Sequence, residues 1–166
     1  MSVSSNKITP CLWFNGQAEE AANLYTSIFK NSRITKVTRY TEAGQGIHGQ
    51  PANQVLVVAF ELDGQPFIAL NGGPQFKFNE AVSFQIDCVD QDEVDDFWSK
   101  LGEGGDESKR QCGWLADRFG VSWQVVPNVL TKMLDDLDIE KVKRVTVAMM
   151  AMKKLDIAGL QKAYDG

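Results

Sequence analysis

Two stretches of this chain, residues 8–74 and 80–127, present the same order of structural signals, and that repetition constrains the fold more than any single motif. In the first stretch, Ile8-Thr-Pro-Cys-Leu-Trp-Phe14 is a short aromatic run bounded by turn residues, which predicts a strand. Asn15-Gly16 breaks it. Ala18, Ala21, Ala22, Leu24, Tyr25, Ile28 and Phe29 then recur at helical spacing, predicting a helix over about 17–30. A β-prone run at 33–41 follows, then a Gly-, Gln- and Pro-rich loop at 42–53 and a second β-prone run at 54–62. Asp63-Gly64 is a tight hairpin signal that leads into a strand at 66–71, and Gly72-Gly73-Pro74 closes the half.

The second stretch begins with the strand signal Val82-Ser-Phe-Gln-Ile-Asp-Cys88. Asp90 with Glu93 three residues later resembles a capping box, and Val94, Phe97, Trp98 and Leu101 give the following helix its buried stripe. A glycine-rich loop at 102–106 precedes strand signals at 110–116 and 121–127, separated by the turn Asp117-Arg-Phe-Gly120. The two halves overlay in order: Gln17-Ala-Glu-Glu matches Gln91-Asp-Glu-Val, and the hairpin after Asp63 matches the one after Phe119. The expected fold is α+β, two paired βαβββ modules whose sheets each form a cup. One mixed α+β domain with accidental likeness is the alternative.

With 166 residues, 43% of them hydrophobic, the chain can bury one sizeable core, so a single domain over 1–166 is expected. After Pro127 the pattern turns helical, at 129–134, 139–153 and 157–164, with Asp156 as the N-cap of the last helix. This extension, 128–166, carries Val142, Val145, Ala148, Met149 and Met152 along one side and must pack on the sheet or on a dimer partner. A net charge of −5 with acids and bases scattered argues against nucleic acid and anionic lipid as partners. No run approaches the roughly 20 apolar residues of a membrane span, and the opening residues carry no signal-peptide pattern, so the expected compartment is the cytoplasm. Three cysteines, Cys11, Cys88 and Cys112, are odd in number and match no zinc or redox spacing.

Several motifs together resemble the PhnB-like branch of the vicinal oxygen chelate superfamily, the group that includes glyoxalase I, bleomycin-resistance proteins and extradiol dioxygenases. They are the run from Ile8 through Trp13-Phe-Asn-Gly-Gln-Ala-Glu-Glu-Ala-Ala, Leu70-Asn-Gly-Gly-Pro74, Phe76-Lys-Phe-Asn-Glu80, Cys112-Gly-Trp-Leu-Ala-Asp-Arg-Phe-Gly-Val-Ser-Trp-Gln-Val-Val-Pro127, and the tail from Met152 to Tyr164. The resemblance spans nearly the whole chain and implies paired βαβββ modules, a cup in each, and a homodimer, in some members with exchanged elements. Members of this branch often carry the name demethylubiquinone 3-methyltransferase. An S-adenosylmethionine enzyme usually places a glycine-rich turn after the first strand of a doubly wound sheet. Here the glycine cluster Gly102-Glu-Gly-Gly105 follows a helix, so the name reads as inherited rather than as chemistry.

The superfamily's metal ligands sit on the cup face of the first and last strands of each module. Strand alternation gives that face Thr9, Cys11 and Trp13 with Ile68 and Leu70 in module one, and Ala81, Ser83 and Gln85 with Ser122, Gln124 and Val126 in module two. The family's metal positions therefore fall on Thr9, Ala81, Ile68 and Gln124, a set that cannot hold a divalent cation by itself. No cofactor is expected. A site of Cys11, Gln85 and Gln124 would need a thiolate. His48, the only histidine, lies in the 44–53 loop, either solvated or folded over the cup as a proton acceptor. The tryptophans are core residues by default, but Trp13 has cup parity and could floor a site for a ring-shaped ligand. The expected ligand-binding set is Cys11, Trp13, Leu70, Ser83, Gln85, Ser122 and Gln124, around a small-molecule ligand. The alternative is a metal- or His48-assisted lyase, isomerase or transferase.

Overall fold

The structure, a computed structural model, describes residues 7–166. The chain divides into two compact units, one ending at Lys77 and one from Phe78 to Gly166. In the first unit, β1 (Cys11–Phe14) leads to α1 (Ala18–Ile28), then β2 (Arg33–Arg39), a single helical turn α2 (Gln45–His48), β3 (Val55–Leu62) and β4 (Gln65–Asn71). The sheet order is β1-β4-β3-β2. Strand β1 runs parallel to β4 and the remaining pairs are antiparallel, giving a complete βαβββ module. The β3–β4 hairpin turns on Asp63 and Gly64, both at positive φ (46° and 79°), as a two-residue type I′ turn requires. The core forms where alternate residues meet α1: Leu12, Phe14, Val58, Phe60, Phe67 and Ala69 pack beneath Ala18, Ala21, Ala22 and Tyr25, all buried.

The second unit contains β5 (Ser83–Cys88), α3 (Gln91–Gly102), β6 (Trp114–Ala116) and β7 (Ser122–Pro127), followed by α4 (Asn128–Leu134), α5 (Ile139–Met150) and α6 (Ile157–Asp165). Its sheet order is β5-β7-β6, with β5 parallel to β7. The Asp90 cap forms, the Glu93 amide donating to Asp90 Oδ1 at 2.9 Å, while the Glu93 carboxylate reaches one residue past the cap to accept the Val89 amide at 3.0 Å. Asp156 caps α6 through the Gly159 amide at 2.8 Å.

Module two carries three strands. The position that β2 occupies in module one is taken by the Gly102–Gly105 loop and a 3₁₀ turn, Glu107–Lys109. The strand expected over 110–116 shortens to Trp114–Ala116 because Cys112 (φ 51°) and Gly113 (φ 83°) both adopt left-handed backbone, which ends an extended run. The amides of these two residues instead donate to the carbonyls of Met152 (2.9 Å) and Lys153 (2.8 Å), so the tail is stitched to this corner and α5 stops at Met150 rather than continuing to 153. Leu130, Met133, Val145, Leu155 and Leu160 form the helical extension's own buried cluster. Among the described residues no helix is long and apolar enough to cross a membrane.

Candidate functional site

The expected strand parity holds in both sheets. In the first unit Leu12 and Phe14 are buried under α1, which leaves Cys11 and Trp13 on the opposite, open face. The register extends that face: Cys11 sits beside Ile68 and then Ala59, and Trp13 beside Leu70 and then Val57. The row is apolar apart from the Cys11 thiol, which desolvation pushes above its ordinary pKa. Trp13 is fixed rather than free to rotate. Its Nε1 donates to the Gly73 carbonyl at 2.8 Å and its ring meets Phe76 edge-on at 4.9 Å. Gly72 makes this possible, because a Cβ there would lie 2.2 Å from the indole.

In the second unit the same two rows read differently. Phe84, Ile86, Trp123 and Val125 face α3, and the open face carries Ser83 beside Ser122 and Ala116, then Gln85 beside Gln124 and Trp114. Gln124 Nε2 donates to Ser83 Oγ at 2.8 Å, and Gln85 Nε2 donates to Asp87 Oδ1 at 2.8 Å. Of the expected set, a hydrogen bond joins only Ser83 and Gln124; Gln85 neighbours Gln124 in register, Ser122 is buried with its hydroxyl 3.5 Å from the Asn79 carbonyl, and Trp114, which the sequence had assigned to the core, ends the row. A cavity of about 480 Å³ adjoins Ser122 and is lined further by Phe78, Glu80, Lys109, Arg118 and Phe119. A second cavity, of about 430 Å³, lies in the first unit among Asn15, Glu19, Gln50, Gln54 and Asn71.

His48 sits on α2, half-buried, with both ring nitrogens engaged. Its Nδ1 accepts the Gln50 amide at 3.1 Å, Nε2 lies 3.3 Å from the Ala43 carbonyl, and the ring stacks on Tyr40 at 4.6 Å. With Nδ1 accepting, the proton belongs on Nε2, so the imidazole braces its own loop. Cys88 is buried under α3, and burial, reinforced by the nearby Glu93, Asp87 and Asp90, pushes its thiol up to about 12.

Two residues escaped sequence reasoning. Asp117 is 2% exposed, and its carboxylate accepts the amides of Phe119 (2.9 Å) and Val121 (3.0 Å) and the indole N–H of Trp123 (2.9 Å). Asn71 accepts the Ala18 amide at 2.9 Å and donates to the Val55 carbonyl at 3.0 Å, tying α1 to the sheet. The Asp-x-x-Gly turn signalled Asp117's place, but nothing local signals a bond to Trp123.

The donors at the superfamily's metal positions do not fit a divalent cation. Thr9, Ala81 and Ile68 offer no strong ligand, Gln124 offers one neutral amide already bonded to Ser83, and no three of His, Cys, Asp or Glu come together among the described residues. Nor do the sheets suit S-adenosylmethionine. Each has one parallel pair, and Gly105 is pressed on the Ala116 carbonyl instead of opening a helix.

Comparison with known proteins agrees with this geometry. The family model described as 3-demethylubiquinone-9 3-methyltransferase matches residues 6–126. The PhnB protein from Bacillus cereus is 35% identical, with a TM-score of 0.63 over 74% of this chain and 99% of its own. At the level of fold alone, protein PA1353 from Pseudomonas aeruginosa (22% identity, TM-score 0.52) matches 74% of this chain and 98% of its own. The fosfomycin resistance protein FosX from Listeria monocytogenes (16% identity, TM-score 0.50) matches 81% of this chain and all of its own. No curated protein matches the chain. With module order, parallel end strands and a family match over most of its length, the chain belongs to the PhnB-like 3-demethylubiquinone-9 3-methyltransferase family.

Proposed function

We propose that this protein is a cytoplasmic, dimeric small-molecule binder that holds a neutral, oxygenated, ring-bearing ligand on the open face of its second sheet without a resident metal. The observation that carries the reading is the row Gln85–Gln124–Trp114 with Ser83 beside it. Amides and hydroxyls both donate and accept, so they match carbonyl or hydroxyl groups of a neutral ligand without the desolvation penalty of a charge. The Trp114 ring at the end of the row supplies an apolar platform. Three unpaired cysteines suit a reducing compartment.

Native mass spectrometry of the untagged full-length protein, paired with elemental analysis, tests this. The expected result is a co-purifying organic molecule and no stoichiometric metal, with occupancy falling about tenfold in Gln124→Ala through loss of one or two hydrogen bonds. Stoichiometric zinc, nickel, manganese or iron would defeat it and favour the metal-assisted lyase, isomerase or transferase.

A further inference from the structure

The two cavities differ in how far their lining side chains are already engaged. Around the one beside Ser122, Glu80 is paired with Lys109, Asp106 accepts from Ser108, and Asp117 is bonded to Trp123 and two amides. Around the one in the first unit, the side chains of Asn15, Glu19, Gln50 and Gln54 make no hydrogen bond or ion pair with any other described residue. Four polar groups thus share one space of about 430 Å³ with their bonding capacity unused.

The backbone that carries them is held. Asn71, buried in the cavity wall, accepts the Ala18 amide, and its own carbonyl accepts the Tyr40 hydroxyl at 2.6 Å. The Tyr40 amide donates to the Gln54 carbonyl at 2.8 Å, and its ring packs against His48. His48 Nδ1 accepts the Gln50 amide at 3.1 Å. The histidine that braces its loop therefore also fixes the backbone at Gln50, while the Gln50 and Gln54 side chains stay available.

The residue types define what would fill the space. Three carboxamides each offer two donors and an acceptor, which suits several hydroxyl groups at once. The fourth group is a carboxylate, and among the described residues no lysine or arginine lines the cavity. Arg39, at the end of β2, donates to the Asn53 carbonyl instead. The N-terminus of α1 adds about half a positive charge, but Glu19 and Glu20 in its first turn outweigh it. An anion would meet Glu19 unopposed, and a neutral molecule would leave its charge unanswered.

We propose that this cavity binds a small hydroxylated amine of the amino-sugar class, with the ammonium on Glu19 and hydroxyls on Asn15, Gln50 and Gln54. The volume falls within the range of about 300–1,000 Å³ usual for small-molecule sites. The site lies in the first unit and the ligand row Gln85–Gln124–Trp114 in the second, so either can fail without the other.

Glucosamine, glucose and glucuronate are similar in size and differ in charge. Titrating each into the untagged, nitrogen-labelled full chain near neutral pH reads the side-chain amide resonances of Asn15, Gln50 and Gln54 directly. Glucosamine is expected to shift them with a dissociation constant of about a millimolar. Glucose should bind at least about tenfold more weakly, because it lacks the charge-assisted bond, and glucuronate should leave the signals in place. Glu19→Gln keeps the shape and removes the charge, so it should bring glucosamine to the level of glucose. Glu20→Gln, outside the lining, should change the constant less than about threefold. Unmoved signals with glucosamine, shifts at Gln85 and Gln124 in place of these three, equal binding of glucose, binding of glucuronate, or equal losses in the two variants would each overturn the proposal. The comparison of the three sugars needs no variant to fold.

Discussion

The two sheets share a plan and differ in what their open faces display. Both pair their first strand in parallel with their last, and both reach that last strand through a glycine at positive φ, Gly64 at 79° and Gly120 at 89°. Yet the row Trp13–Leu70–Val57 in the first unit corresponds to Gln85–Gln124–Trp114 in the second, and Cys11–Ile68–Ala59 corresponds to Ser83–Ser122–Ala116. The helix-facing residues stay apolar in both. Every second residue is thus bound by packing, and the residues between them are free to carry chemistry. Each unit is also locked by a buried polar side chain near its last strand, a neutral amide at Asn71 in the first and a carboxylate at Asp117 in the second.

The most severe way to break this parallel is to remove the two locks. Asp117→Ala strands the Phe119 and Val121 amides and the Trp123 indole in a buried site. A loss of about 4 kcal/mol is expected. Asn71→Ala strands only the Ala18 amide and the Val55 carbonyl, for about 2 kcal/mol. Denaturant titration of both variants would rank them, and equal losses would mean the charged lock has no advantage over the neutral one. Asp117→Asn sharpens the point. Its side-chain N–H would face the Trp123 N–H, so it should recover only part of the loss.

A smaller contrast comes from two glycines that a Cβ would crowd. At Gly105 the added atom would meet the Ala116 carbonyl at 2.1 Å, and backbone in a sheet cannot step aside. At Gly72 it would meet the Trp13 ring at 2.2 Å, a side chain that can swing away by giving up its bond to the Gly73 carbonyl. Gly105→Ala should therefore cost about 3 kcal/mol. Gly72→Ala should cost about 1–2 kcal/mol, with a clear change in tryptophan fluorescence as the indole leaves Phe76. A Gly72→Ala protein with unaltered fluorescence would show that the open face of the first sheet is held by something other than this indole.

The elements were legible where one local rule sufficed. A β-prone run marked β3, Asp63-Gly64 marked the turn into β4, and Asp90 and Asp156 marked two helix starts. Parity and the overlay of the two halves put Gln85 and Gln124, and Trp13 and Leu70, on the same face, and the register sets them side by side. The failures share a cause. Whether 110–116 forms a full strand, and where α5 ends, depends on bonds from Cys112 and Gly113 to Met152 and Lys153, about forty residues away, and no window of sequence contains both partners. The same holds for Trp114, whose exposure follows from the short edge strand it occupies.

The gentlest test concerns the tail, which the second unit has and the first lacks. The Tyr164 hydroxyl donates to Asp136, and Lys141 lies 4.6 Å over the tyrosine ring. Hydrogen bonding to Tyr164, then to the Asp138 amide, holds the Asp136 carboxyl below its ordinary value. The bond to Asp136 in turn holds the Tyr164 hydroxyl above its ordinary value. The two shifts act at opposite ends of the pH scale. A depressed carboxylate stabilises the fold above the ordinary carboxylate range and loses that contribution as pH falls through its lowered value. A raised phenol stabilises below the ordinary tyrosine range and loses it as pH rises through its raised value. Tyr164→Phe removes the donor, so it should flatten the alkaline limb fully and the acid limb in part, because the Asp138 amide still supports Asp136. Both groups are solvated, so the melting temperature near neutrality should barely move and the signal lies in the curvature. Melting temperatures of the two proteins across the pH range read it directly. Parallel profiles at both ends would mean that this latch contributes nothing and that the tail is held by its other contacts, among them the Met152 and Lys153 stitch and the Gln91 bonds to Leu155 and Ile157.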